Sequence, residues 1–320
     1  MVKLISLLLG LPLLASLVDA YANPKLCTGV CVNAHDSSIV RRTDGTYFRF
    51  STGGGIAVHS APALTGPWTY KGNAMTGGSK INRTGKDDMW APDVTNIDGT
   101  YYMYYAISKF GTQESAIGYA TSKTMEVGSW TDHSTALISS DSTKPYNAID
   151  ANYINVNGAH YLTFGSFWKD IYQVKLSSPS QPSGSAYQIA YDSVNTAMEG
   201  ATIFKYGSYY YLFFSKGSCC NYDKKRPAAG AEYKIMACRS KSATGGFVDK
   251  NGVSCTKSGG TTVLASHGYV YGPGGQGVMQ DPKYGPVLYY HYVDTRVGYA
   301  DGQKKLGWNQ INFSTGWPVV

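Results

Sequence analysis

From Ser38 onward the apolar positions fall in short runs of four to eight residues, broken by glycine-centred turns, and nowhere recur at helical spacing over a useful length. A turn followed by an aromatic run appears as DGTYFRFS (44–51), DGTYYMYY (98–105), NGAHYLTF (157–164), YGSYYYLF (206–213) and YGPVLYYHY (284–292). The turn glycines are Gly45, Gly99, Gly158, Gly207 and Gly285, and Asp-Gly or Asn-Gly there predicts tight hairpins. An Ile-led strand, a polar loop and a Gly-x-aromatic close follow in IAVHSAPALTGPW (56–68), IGYATSKTMEVGSW (117–130) and IMACRSKSATGGF (235–247). Each unit therefore reads as three or four antiparallel strands, with second strands apolar on both faces. Five such units, none able to bury both faces alone, predict an all-β, single-domain, five-bladed β-propeller. Closure of the ring is expected from the tail GWNQINFSTGWPVV pairing near the N-terminus.

The first twenty residues break this pattern. MVKLISLLLGLPLLASLVDA has an early lysine, an apolar run from Leu4 and a small-residue ending, which predicts a secretory signal (1–20) cleaved after Ala20. Residues 21–320 are then the catalytic propeller, in an extracellular setting, with no later segment long enough to span a membrane. The six cysteines suit that compartment as disulfides. The pairs Cys238–Cys255 and Cys27–Cys31 are expected, with Cys219 and Cys220 either bridged to each other or free. Asn82 and Asn312 head glycan-acceptor triplets. The net charge of +7 is spread without a basic run, which argues against nucleic acid as a partner and allows loose attraction to acidic polymers.

The candidate chemistry comes from the repeat. Counted back from the turn glycines, Asp150 and Glu199 fall at one phase and Asp36 one residue further back, where its connection is longer. The same phase holds Ala91, beside Trp90, in the second unit and Gly277 in the fifth. First strands of a propeller line the central channel, so these distant acids converge at its mouth. Carboxylates amid core strands are costly unless used or paired. Such a cluster suits glycoside hydrolysis, in which one acid protonates the leaving oxygen and a carboxylate activates water or attacks the sugar. A carboxylate cation site is the other reading.

At these residues the chain resembles the endo-arabinanases of glycoside hydrolase family 43, through HDSS (35–38), WAPDV (90–94), SAIGYATS (115–122), NAIDAN (147–152), GSFW (165–168) and MEGATI (198–203). The resemblance covers essentially the whole of 21–320. It implies Asp36 as general base, Glu199 as general acid and Asp150 as the carboxylate that raises and positions the acid. It further implies inversion, with acid and base roughly 6.5–9.5 Å apart, and α-1,5-linked L-arabinofuranose chains, the side branches of pectin, as substrate. His35 is implied to contact the sugar, and Asn147, Ser166 and Trp168 to bind or flank it; Trp90, where the second unit lacks an acid, suits a stacking platform, and Phe110 a further sugar contact. His291 is implied to help hold one Ca2+ in the channel, largely through waters. Lys169-Asp170 after GSFW departs from the small residue or glycine expected there.

GPGGQG (272–277) lacks the strand–loop–helix of a phosphate loop and reads as close backbone approach to the channel. Two other functions compete. An exo-acting arabinofuranosidase or β-xylosidase of the same family would have a pocket closed at one end, often with an added sandwich domain; the fifth unit runs nearly to Val320, which sets the expectation of an open groove. A non-catalytic carbohydrate-binding propeller would place sites between all blades, whereas the acids here occupy three of five. No organic cofactor is expected, and a monomer is.

Overall fold

The computed structural model describes residues 21–194 and 197–320; the expected signal segment lies outside them. The strands form five antiparallel sheets arranged as five blades of a propeller. Blade one contains Ser38–Arg41, Tyr47–Ser51, Ala57–Ala61 and Thr69–Asn73. The innermost strands of the other blades are Met89–Ile97, Asn152–Val156, Met198–Tyr206 and Val270–Asp281. All five expected hairpins are present. At Asp98-Gly99 and Asn157-Gly158 both central residues take positive φ, as a two-residue turn matched to strand twist requires.

The apolar second strands bury their residues between blades. Phe48 and Phe50 of blade one pack with Met103 and Tyr105 of blade two, and Tyr104 of blade two with Phe164 of blade three. Ile171 of blade three meets Leu212 of blade four, and Phe213 of blade four meets Leu288 and Tyr290 of blade five. Tyr289 and Trp308 of blade five close the circuit on Ile39 and Tyr47 of blade one. Burying one such side chain stabilises by about 1.5–3 kcal/mol, so no blade is self-sufficient and the ring folds as one body.

Blade five has only three strands of its own, ending in Lys305–Gln310. Its outer edge is covered by the N-terminal segment: Lys25 N–H donates to Trp308 O, Leu306 N–H to Cys31 O, and Ala34 N–H to Lys304 O. The same segment bonds blade one, through Trp68 N–H to Thr28 O and Val30 N–H to Trp68 O. Closure thus uses the GWNQ part of the tail, as expected. The remainder turns away to pack on blade four, where Phe313 stacks on Tyr206 at 4.3 Å. Cys27–Cys31 and Cys238–Cys255 are bonded, and Cys219–Cys220 form a vicinal disulfide. No helix among the described residues is long and apolar enough to cross a membrane.

Candidate active site

Each innermost strand carries one extra residue near the mouth of the channel. In blade two the pairs Trp90–Ala106 and Asp93–Tyr104 differ by one residue in spacing, and so do Glu199–Ser215 and Thr202–Phe213 in blade four and Gly274–His291 and Gly277–Tyr289 in blade five. The bulged residue is left-handed in every blade: Asp36, Ala91, Asp150, Gly200 and Gly275, with φ between 45° and 62°. A bulge breaks the alternation of strand side chains, so two successive residues address the same hollow.

This geometry corrects the sequence phase. Aligned on the hairpin closures, Asp36 and Asp150 share the bulge position with Gly200, whereas Glu199 stands one residue earlier, with His35, Trp90 and Ile149. The count had placed Glu199 level with Asp150 because Gly207 is the first residue of its turn, between Tyr206 and Tyr209, whereas Gly158 is the second of its own. The bulge brings the three carboxyls together regardless. Gly200 N–H donates to Asp150 Oδ2 at 3.0 Å, which docks Asp150 against the acid next in the chain.

The hydrogen bonds differ among the three. Asp36 Oδ2 accepts from Thr52 Oγ1 at 3.0 Å, and Thr52 in turn accepts from Ala91 N–H. Glu199 accepts from both sides, Ser166 Oγ at 2.5 Å and Tyr233 Oη at 2.7 Å. Burial raises all three pKa values. For Asp36 this is opposed chiefly by the Lys304 ammonium and the Thr52 hydroxyl. For Glu199 the Ser166 and Tyr233 hydroxyls oppose it while Asp36 adds to it. Asp150 is pushed furthest, by burial and then by the charges of Glu199 and Asp36. Burial thus favours the protonated form of both Asp150 and Glu199, and the charge of Glu199 adds to it at Asp150. His35 is driven down to about 3 by burial and by Lys304, so its ring is neutral at working pH.

The acids open into a cleft of about 830 Å³, and every sequence-predicted sugar contact lines it: His35, Trp90, Phe110, Asn147, Ser166 and Trp168. Phe110 and Trp168 are 69% and 39% exposed, free to receive a flat apolar face. Asn147 is buried, and its Oδ1 accepts from Ser115 Oγ at 2.6 Å. Asp170, the departure after GSFW, is buried below the cleft and accepts from Asp192 N–H at 2.8 Å. Thr52, Tyr233 and Lys304 escaped the sequence reading, as did the place of the Cys219–Cys220 bridge on the cleft wall. Lys304 is fully buried, and its Nζ lies 3.4 Å from His35 Nε2 and 3.2 Å from Asp301 Oδ1. Tyr233 and Lys304 belong to no repeated phase, and the place Thr52 shares on the second strands shows only once the bulged inner strands are aligned.

The glycine-rich run does approach closely. A Cβ on Gly275 would stand 2.4 Å from Asp36 Oδ1 and 2.6 Å from the His291 ring. His291 stands six residues after its turn glycine, as Ser51, Tyr105, Phe164 and Phe213 do after theirs, yet on the second strands it shares its place with Thr52, Ala106, Gly165 and Ser215. Its Nδ1 accepts Asp36 N–H at 3.1 Å, so the neutral ring carries its proton on Nε2, which is buried with no hydrogen-bond partner among the described residues. Such a group donates to water and cannot ligate a cation directly. A cavity of about 50 Å³ beneath the mouth is lined by Asp36, Asp93, Asp150, Thr202 and Gln276, an oxygen-rich set of the kind a hard cation takes. The residues that line it fit calcium, and His291, which stands outside that lining, would reach the ion only through water.

With this geometry in place, likeness to known proteins becomes informative. Residues 30–318 match the family described as glycosyl hydrolases family 43. The chain belongs to this family. A family 43 relative, named arabinan endo-1,5-alpha-L-arabinosidase A, from Aspergillus aculeatus, is 62% identical over 98% of both chains. Among solved structures, a GH43 endo-arabinanase from Bacillus licheniformis aligns with a TM-score of 0.80 at 32% identity, over 92% of this chain and 100% of that one. An exo-1,5-alpha-L-arabinanase from a bovine ruminal metagenomic library aligns with a TM-score of 0.81 at 31% identity, over 92% and 98%. Family 43 membership makes this chain a glycoside hydrolase, and endo- and exo-acting proteins share its frame.

Proposed function

We propose that this hydrolase cuts internal α-1,5-L-arabinofuranosyl bonds of arabinan with inversion, using Asp36 as base, Glu199 as acid and Asp150 as the partner that keeps a proton on the acid. What carries the reading is the convergence of three carboxyls of unlike environment at the floor of one cleft. Asp36, whose charged form the Lys304 ammonium and the Thr52 hydroxyl favour, is the group we assign as base. It takes a proton from water as that water's oxygen bonds to the anomeric carbon. Glu199 gives its proton to the departing glycosidic oxygen, and burial, with the charge of Asp36, favours the protonated form it needs. Ser166 and Tyr233 fix the Glu199 carboxyl for the transfer, while Trp90, Phe110 and Trp168 supply faces for furanose rings. Calcium in the channel, held by the lining carboxylates and through water by His291, would supply positive charge below the acids.

The name of the 62%-identical relative favours endo action. The structural likeness to an exo-acting protein keeps exo cleavage as the second reading. Products from linear 1,5-arabinan decide between them: a spread of oligosaccharide lengths from the first minutes is expected, whereas one product released throughout would establish the exo mode. Proton NMR of the first product should show the inverted anomer; retention would remove Asp36 from the base role. Glu199→Gln should lower kcat by about 10²–10⁴ with the fold intact, because protonation of the leaving oxygen is lost. We extend the reading to a monomer that acts outside the cell on pectic side chains, released by cleavage after Ala20. N-terminal sequencing of the secreted protein and its elution on a sizing column test both.

A further inference from the structure

Cys219 and Cys220 are neighbours in the chain, and their disulfide encloses no loop. A cross-link stabilises mainly in proportion to the chain it closes, so this one does little for the fold. Its position is more telling. Cys238 and Cys255 are fully buried, but Cys219 and Cys220, from the loop between two blade-four strands, line the same cleft as Trp90 and Phe110 of blade two. Cys220 Sγ lies 3.8 Å from His35 Nε2, one residue from the base.

The wall is also held rigidly. Lys304 Nζ donates to Cys219 O at 2.8 Å, and Asn221 N–H donates to Asp301 Oδ2 at 3.1 Å. The Lys304–Asp301 ion pair ties these two anchors together. Tyr222, buried and donating to Ser218 O, pins the loop that carries them. Ring closure across a single peptide bond leaves the sulfurs few alternatives, and sulfur is polarisable enough to pack well against apolar surface. A furanose presents a C–H face of that kind once its hydroxyls point elsewhere.

We propose that the Cys219–Cys220 disulfide is a sugar-contacting wall of the cleft, seating an arabinofuranosyl ring beside the scission point and so helping to set which bond of the chain is cut. The inference rests on arabinan as substrate. The test uses the full chain with Glu199→Gln, so that a linear arabino-oligosaccharide stays uncut, and follows reduction by a water-soluble phosphine through alkylation and peptide mass spectrometry. Occupied enzyme should lose the 219–220 bond more slowly, in proportion to the fraction bound, while the unliganded control loses it freely. Binding is followed separately by tryptophan fluorescence. Binding without protection overturns the wall; no binding, together with no hydrolysis of arabinan by the parent, overturns the substrate reading and the wall with it.

A second measurement uses Cys219→Ser with Cys220→Ser in the active enzyme. KM for longer oligosaccharides should rise about two- to tenfold, the range of a lost sulfur contact, with a changed distribution of products. An unchanged product pattern, or an equal loss of kcat for every length, would mark a merely structural bond.

Discussion

At the level of single side chains, the acids are distinguished by their donors. Tyr233 Oη donates to Glu199 and favours its charged form. Tyr233→Phe removes that donor, so the pKa of Glu199 should rise. In the role we propose for Glu199, a general acid fails as pH climbs past its pKa, and the basic limb of the kcat/KM profile should therefore move to higher pH, by up to about one unit. A limb that stays in place would show that Tyr233 only packs. Asp170 gives a stability counterpart. Burial pushes its pKa from 3.8 to about 7, so the folded state keeps a proton that the unfolded chain has already released. Stability is therefore lost as pH rises from about 4 through about 7, at no more than about 1.4 kcal/mol per unit. Asp170→Asn retains an acceptor for Asp192 N–H, and its melting temperature should exceed the parent's at pH 8 and match it at pH 4. Neither Tyr233 nor the burial of Asp170 was legible in the sequence, because both depend on contacts between separate strands and loops.

Among the elements, the bulged inner strand decides the site. Periodicity revealed the strands, and the turns revealed their register to within one residue. The misplacement of Glu199 came from a turn that begins on its glycine where its neighbour ends on one. The extra residue in each inner strand left no signature, since left-handed backbone is taken there by aspartate and alanine as well as by glycine. Gly275 is the tightest case. Gly275→Ala must place a methyl against Asp36 and His291 at a φ of 55°, so it should cost about 1–3 kcal/mol in stability and shift the base. The expected result is a fall in kcat of about 10²-fold with a smaller change in KM. Wild-type kcat in that variant would mean that the loop yields without disturbing Asp36.

For the molecule as a whole, the ring and its seam govern stability. The N-terminal segment is bonded to blade five on one side and blade one on the other, next to His35 and Lys304. Removing residues 21–33 should cost about 3 kcal/mol or more through lost ladder bonds and uncovered apolar surface, which a thermal melt would register as a drop on the order of 10 °C. Activity should fall as well, because the seam runs beside His35 and Lys304, which flank Asp36. If the truncated chain melts and hydrolyses like the parent, the seam is incidental. What the sequence determined alone was the repeat: strand spacing, hairpin turns, five units, and three acids recurring near one phase, all of them local or periodic properties. What only the tertiary structure decided was which groups face those acids: Thr52 and Lys304 at Asp36, Ser166 and Tyr233 at Glu199, and a disulfide across the cleft. Those contacts arise when the ring closes and brings five blades to one axis, and no stretch of chain short enough to show a pattern contains them.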